Sequence, residues 1–162
     1  MTSPAYLANL LGDAIPSDHC RQTSASQCMQ ALVKSGFRPA NVLDFGCGDG
    51  RSIDLFRDLL PEARWSGLDV ASSPEVDKRK RADGEFITYN GYNFPLPDES
   101  YECVYTDQAL EHVHKPDVAV MEIARVLKPG GLFVGQSSSP IIRSASGTLR
   151  FMGSSGSWKT LA

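Results

Sequence analysis

The sequence predicts an α/β fold: an open, mostly parallel sheet of about five strands with helices on both faces. Three observations predict it. Five short apolar runs, near residues 42–45, 64–70, 85–89, 101–106 and 132–136, have strand length and strand composition. Most are separated by segments with helical apolar spacing. The first run ends at Gly46, Gly48 and Gly50, and a helical pattern starts at once from Arg51. Strands alternating with helices imply right-handed crossovers and hence a parallel sheet.

Taken in order, the elements begin with Tyr6, Leu7, Leu10, Leu11, Ala14 and Ile15 at helical spacing, opened by Ser3-Pro4 and closed by Pro16. A second helix is expected over 18–35, with Ser17 as N-cap and Gly36 as the terminating glycine. Ile53, Phe56 and Leu60 make a helix that Pro61 ends. Pro74 marks a short helix start, and the run Lys78-Arg79-Lys80-Arg81 after it has the composition of a solvated surface. Two prolines make 90–100 a loop. Lys115-Pro116-Asp117 opens a helix carrying Val118, Val120, Met121, Ile123, Ala124 and Leu127, and Lys128-Pro129-Gly130-Gly131 ends it. A single domain follows, with N-terminal helices over 1–36, a core over 41–137 and an irregular tail over 138–162. The tail is rich in serine and glycine, and no clean strand or helix is expected there. The fifth strand would then be an open edge, inviting self-association.

Composition narrows the function classes. At 162 residues, with 41% hydrophobic and 22% charged residues, the chain suits one folded domain. A net charge of -3 gives no bulk attraction for nucleic acid. No apolar run approaches the roughly 20 residues of a membrane span, and the N-terminus lacks a secretory pattern. Cys20, Cys28, Cys47 and Cys103 have no CxxC spacing, so buried free thiols in a cytoplasmic protein are expected, with no metal site.

In open α/β sheets the ligand lies at the carboxyl ends of the strands. Residues 44–50, 69–71, 90–92 and 107–111 occupy those ends and should converge. Asp69 lies where an acid accepts two hydrogen bonds from a ribose diol. A nucleoside-containing ligand is implied. The glycine spacing is GxGxG rather than the GxGxxG of dinucleotide sites, and Asp44 and Asp49 flank the turn. Two carboxylates repel a pyrophosphate and suit a cation. S-adenosylmethionine, with a sulfonium, an ammonium and a ribose, is favoured over a nicotinamide dinucleotide, which stays as an alternative.

Several segments then resemble the class I S-adenosylmethionine-dependent methyltransferases, in the small-molecule branch. They are Val42-Leu-Asp-Phe-Gly-Cys-Gly-Asp-Gly50, Gly67-Leu-Asp-Val70, Phe94-Pro-Leu-Pro-Asp98, Glu111-His-Val113 and Glu122-Ile-Ala-Arg-Val-Leu-Lys-Pro-Gly-Gly131. The resemblance spans about 41–137 and implies a Rossmann-like sheet. It implies that Asp44, Gly46, Cys47, Gly48 and Gly50 hold the methionine end of the cofactor. Asp69, with Val70 beside it, would take the ribose. Asn90, with Gly91 next to it, falls where the family has an acid for the adenine amino group. Asp107 falls where the family places residues over cofactor and substrate. The family's last hairpin has no counterpart evident in the sequence, so the chain is expected to lack it.

Methyl transfer from a sulfonium needs alignment and desolvation above all. An oxygen or nitrogen acceptor would also need a base. His112, His114 and Glu111 are the candidates, His112 first, although an anchoring role is the commoner use of such a histidine. The expected activity is methyl transfer to a small-molecule or lipid- or sugar-linked acceptor. The alternative is a truncated, catalytically inactive chain that keeps the cofactor pocket.

Overall fold

The computed structural model describes residues 24–136, 149–152 and 158–161. The helix expected over 3–16, the Ser17 cap and Cys20 lie outside the described residues. In chain order come α1 (Ser24–Lys34), β1 (Asn41–Phe45), α2 (Ser52–Leu59), β2 (Arg64–Val70), a 3-10 turn (Val76–Lys78), β3 (Glu85–Tyr89), β4 (Tyr101–Asp107), α3 (Pro116–Val126), β5 (Leu127–Gln136), β6 (Leu149–Met152) and β7 (Trp158–Leu161). The first five strands form one parallel sheet in the order β3-β2-β1-β4-β5.

Alternation along the strands distributes the core between two faces. Val42, Cys103, Tyr105 and Val134 pack with Met29, Leu32 and Phe56 of α1 and α2. Leu43, Phe45, Val104 and Phe133 pack with Ala119, Val120, Ile123 and Val126 of α3. Both faces of β1 and β4 are therefore covered, which is why the middle of each strand is mostly apolar. Asp44 belongs to the α1–α2 face by the same alternation, and it is 3% exposed.

Two motif pieces serve the frame. The Glu122 carboxylate accepts the Phe94 N–H at 2.7 Å. The Arg125 guanidinium donates to the carbonyls of Leu96 at 2.8 Å and Phe94 at 3.0 Å, and to Asp98 and Glu122. Together they fasten the proline-containing loop onto α3. Phe94 is thereby seated against Phe45 and Tyr89, with ring centroids 5.2 and 5.3 Å away.

The structure departs from expectation in three places. Lys128-Pro129-Gly130-Gly131 does not separate α3 from β5. It is a bulge inside β5, where Tyr101 pairs with Leu127 but Cys103 pairs with Leu132. The basic run is not free surface. The Arg81 side chain pairs with Asp54 at 2.7 Å and with Asp83 at 2.9 Å, and Arg79 reaches the glycine loop described below. The tail is not wholly irregular. Leu149–Met152 and Trp158–Leu161 form an antiparallel two-stranded sheet of their own. Each strand is four residues long, too short for a periodic signal in the sequence. β6 comes close to β5 without joining its ladder.

Ile123 is fully buried at the centre of the α3 face. Ile123→Ala is expected to lower stability by about 2–5 kcal/mol through lost burial and the cavity left behind. Urea unfolding followed by circular dichroism measures it.

Candidate functional site

The sheet places three carboxylates at its C-terminal end. Register sets Asp44 between Gly67 of β2 and Tyr105 of β4. Asp69 lies one residue from the end of β2, and Asp107 is the last residue of β4. Asp44 feels both other charges. Burial, reinforced by Asp107 and Asp69, pushes the Asp44 carboxyl up to about 7, against the Ser52 hydroxyl that favours its charged form. That hydroxyl, on the first residue of α2, donates to the Asp44 carboxylate. In turn the Trp65 indole N–H donates to the Ser52 oxygen at 3.1 Å. Asp107 is raised to about 6 by burial and by Glu111, opposed by Arg51. Its Oδ1 is buried without a hydrogen-bond partner.

The glycine loop between β1 and α2 satisfies its own amides. Gly46 N–H donates to the Leu68 carbonyl at 2.8 Å, Gly48 N–H to Asp69 Oδ2 at 2.7 Å, and Gly50 N–H to the Cys47 carbonyl at 2.8 Å. Arg51 N–H donates to Asp49 at 3.2 Å. Gly46 has φ +75°, and a Cβ there would lie 2.1 Å from the Ala109 Cβ. Only glycine meets both conditions, and the tight fit sets the β4–α3 turn against the loop. Asp69 also accepts the Val70 N–H at 2.8 Å through Oδ1. Each of its oxygens thus takes one backbone donor and keeps a lone pair for another.

Not every predicted residue sits as expected. Asp49 does not join the acidic cluster, because Arg51 pairs with it at 3.0 Å and Arg51 also reaches Glu75 at 3.3 Å. The acids that crowd Asp44 are instead Asp69 and Asp107, contributed by neighbouring strands. Asn90 is exposed, and its Oδ1 accepts the N–H groups of Tyr92 at 3.0 Å and Asn93 at 2.8 Å. Its carbonyl therefore shapes the turn through Gly91, where φ is +86° and a Cβ would meet nothing within 4 Å. Cys47 is buried, as are Cys28 and Cys103, and all three are free thiols. His112 and His114 are exposed, and the His112 backbone N–H closes a turn on Ala109 at 2.9 Å. No cluster of metal-ligating side chains occurs among the described residues.

Sequence reasoning missed Ser52, Trp65 and Arg79. Serine at a helix start and tryptophan in a strand are too common to signal a site. Arg79 was hidden in the basic run, although its neighbours Lys78 and Lys80 are the exposed members.

The residues fit S-adenosylmethionine. Asp69 retains accepting capacity of the kind a ribose diol needs, and the buried Asp107 Oδ1 lacks a donor that an ammonium would provide. Among the described residues no cation bears on Asp44.

Comparison with known proteins agrees with this geometry. Residues 43–135 match the family model described as Methyltransferase domain. The chain is 32% identical over 123 residues to a ubiquinone/menaquinone biosynthesis C-methyltransferase of Francisella tularensis, covering 70% of this chain and 49% of that protein. It is 28% identical over 127 residues to a fatty-acid O-methyltransferase of Mycolicibacterium smegmatis, covering 76% and 46%. A methyltransferase solved in complex with the Haloferax volcanii Trm112 activator superposes with a TM-score of 0.54 at 27% identity, over 80% of this chain and 57% of that one. The chain thus spans about half the length of the curated relatives it matches. With the family model covering both the glycine loop and β5, this chain belongs to the class I S-adenosylmethionine-dependent methyltransferases.

Proposed function

We propose that this domain binds S-adenosylmethionine and transfers its methyl group to an apolar small-molecule or lipid-linked acceptor. The observation that carries the cofactor reading is the loop whose amides are already spent. In a dinucleotide site the glycine-loop N–H groups point at a pyrophosphate. Here Gly46, Gly48 and Gly50 donate inward, and the charges of Asp69 and Asp107 bear on Asp44 at the same end of the sheet. That surroundings repels phosphate and attracts a cation. The names of two relatives, for fatty-acid and quinone-pathway methylation, support an apolar acceptor.

When bound, the cofactor supplies a methyl group on a positively charged sulfur, already a good leaving group. The chain's residues then have three tasks. Asp69 accepts from the ribose diol and fixes the nucleoside. The loop of Gly46, Cys47, Gly48 and Gly50, with Asp44 beneath it and Asp107 beside it, holds the amino-acid end and offsets its positive charge. Val70, Asn90 and Gly91 line the way to the adenine. For an acceptor that must lose a proton, exposed His112 just past β4 is the base candidate. Three buried free thiols agree with a reducing, cytoplasmic setting, and no described helix is long and apolar enough to cross a membrane.

The direct test is thermal melting with S-adenosylhomocysteine against NADH. A rise in Tm with the former alone is expected, and a rise with NADH alone would overturn the reading. Asp69→Ala is expected to weaken S-adenosylhomocysteine binding by about tenfold or more, since two hydrogen bonds to a charged group are lost. Titration calorimetry measures that loss, and an unchanged Kd would remove Asp69 from the site.

Proton linkage gives a second test. Both Asp44, at about 7, and Asp107, at about 6, are raised above their ordinary value of 3.8. A raised carboxyl binds more protons folded than unfolded. Its contribution is therefore most favourable below pH of about 4 and declines as pH rises towards 7. A cation bound beside these groups lowers their pKa and releases protons. S-adenosylmethionine affinity should accordingly rise between pH 5.5 and 8. Proton release should be seen by calorimetry in buffers of differing ionisation enthalpy, and Asp44→Asn should flatten the profile.

A further inference from the structure

We infer that Arg79, in the connection between β2 and β3, is a positioning residue that locks the glycine loop in its ligand-ready shape. This rests on the cofactor reading above. The connection over 71–84 contains only the Val76–Lys78 turn where a parallel crossover commonly has an α-helix. Arg79 leaves that turn in an extended conformation, with φ -60° and ψ 120°. Its Nε donates to the Gly48 carbonyl at 2.8 Å and its Nη2 to the same oxygen at 2.5 Å. Nη2 also lies 3.6 Å from the Cys47 Sγ. The guanidinium stacks over Phe86, 4.1 Å from the ring centroid. That same ring abuts the loop's third glycine, since a Cβ on Gly50 would come within 2.8 Å of it.

Gly48 is thus held on both sides. Its N–H is fixed by Asp69 and its C=O by Arg79. It has φ +52°, and glycine loses the most conformational freedom when ordered. A clamp there removes the entropy that a ligand would otherwise have to overcome on binding. Lysine cannot reproduce it, because only a planar guanidinium forks two donors onto one oxygen while stacking on a ring. Arg79 touches the loop from outside and is argued to act through the Gly48 carbonyl, not on the methyl group.

The experiment uses the full chain as the parent, Arg79→Met and Arg79→Lys. Two readouts are taken: amide hydrogen exchange of the unliganded protein and the calorimetric Kd for S-adenosylhomocysteine. Exchange at Gly48 and Gly50 should accelerate about tenfold in Arg79→Met, with Val104 in the central strand unchanged. Its Kd should rise about tenfold, with Arg79→Lys intermediate in both measures. Unchanged loop exchange, equal acceleration at Val104, or an unaltered Kd in Arg79→Met would each overturn the inference. Should the parent itself fail to bind S-adenosylhomocysteine, the cofactor reading falls, and loop exchange alone then decides whether Arg79 clamps Gly48.

Discussion

Asp44 is a carboxylate buried inside the sheet, and several of its neighbours make that tolerable. Burying an ionisable group without partners is costly. The Ser52 hydroxyl answers it directly, and the Trp65 indole orients that hydroxyl. Trp65 reaches the spot because the residue two places along β2 on the same face is Gly67, where a Cβ would lie 2.5 Å from the tryptophan ring and 2.6 Å from the Cys47 sulfur. One glycine in β2 therefore makes room both for the indole that supports Asp44 and for the thiol of the loop. Among the described residues no cation offsets the remaining charge, and the adjacent acids raise its proton affinity.

The glycine loop has the complementary property. Glycine-rich turns at strand ends are commonly phosphate sites because their amides point outward. In this loop the amides turn inward, onto Leu68, Asp69 and Cys47. The difference is one of bookkeeping for backbone donors, not of glycine content. Asp69 contributes to both sides, since it ties down Gly48 and still has accepting capacity towards the ligand. The frame behind the loop is equally specific. Thr106 donates its hydroxyl to the Phe45 carbonyl at 2.8 Å, joining the ends of β1 and β4 where the site begins. Phe45, Tyr89 and Phe94 close the opposite face beneath it.

The segments that carry the family resemblance do different physical work. Asp44 to Gly50 and Asp69 make up the proposed site at the C-terminal end of the sheet. Glu122 and Arg125, though equally distinctive in sequence, hold the loop from Phe94 to Asp98 on α3 and touch no part of it. Lys128 pairs with Glu102 at 3.0 Å across the β4–β5 bulge. The contacts of Glu122, Arg125 and Lys128 assemble the sheet and its loops, while Asp44 to Gly50 and Asp69 stand at its C-terminal end.

By itself the sequence determined the parallel sheet and where its glycine turn falls. The five strands were legible because burial on both faces demands continuous apolar runs, and the turns were legible because glycine and proline restrict the backbone in known ways. Asp44 and Asp69 stood out because an acid at a strand end beside a glycine turn is unusual and needs a partner. Tertiary structure alone decided which charges act together. Asp49, adjacent to the loop in sequence, is taken by Arg51, whereas Asp107, 63 residues beyond Asp44 (107 − 44), faces it across a parallel pairing. It also decided that Arg79 belongs to the loop and that β6 and β7 pair. Those outcomes depend on where side chains and short strands meet in space, and local sequence pattern has no term for distance across a sheet.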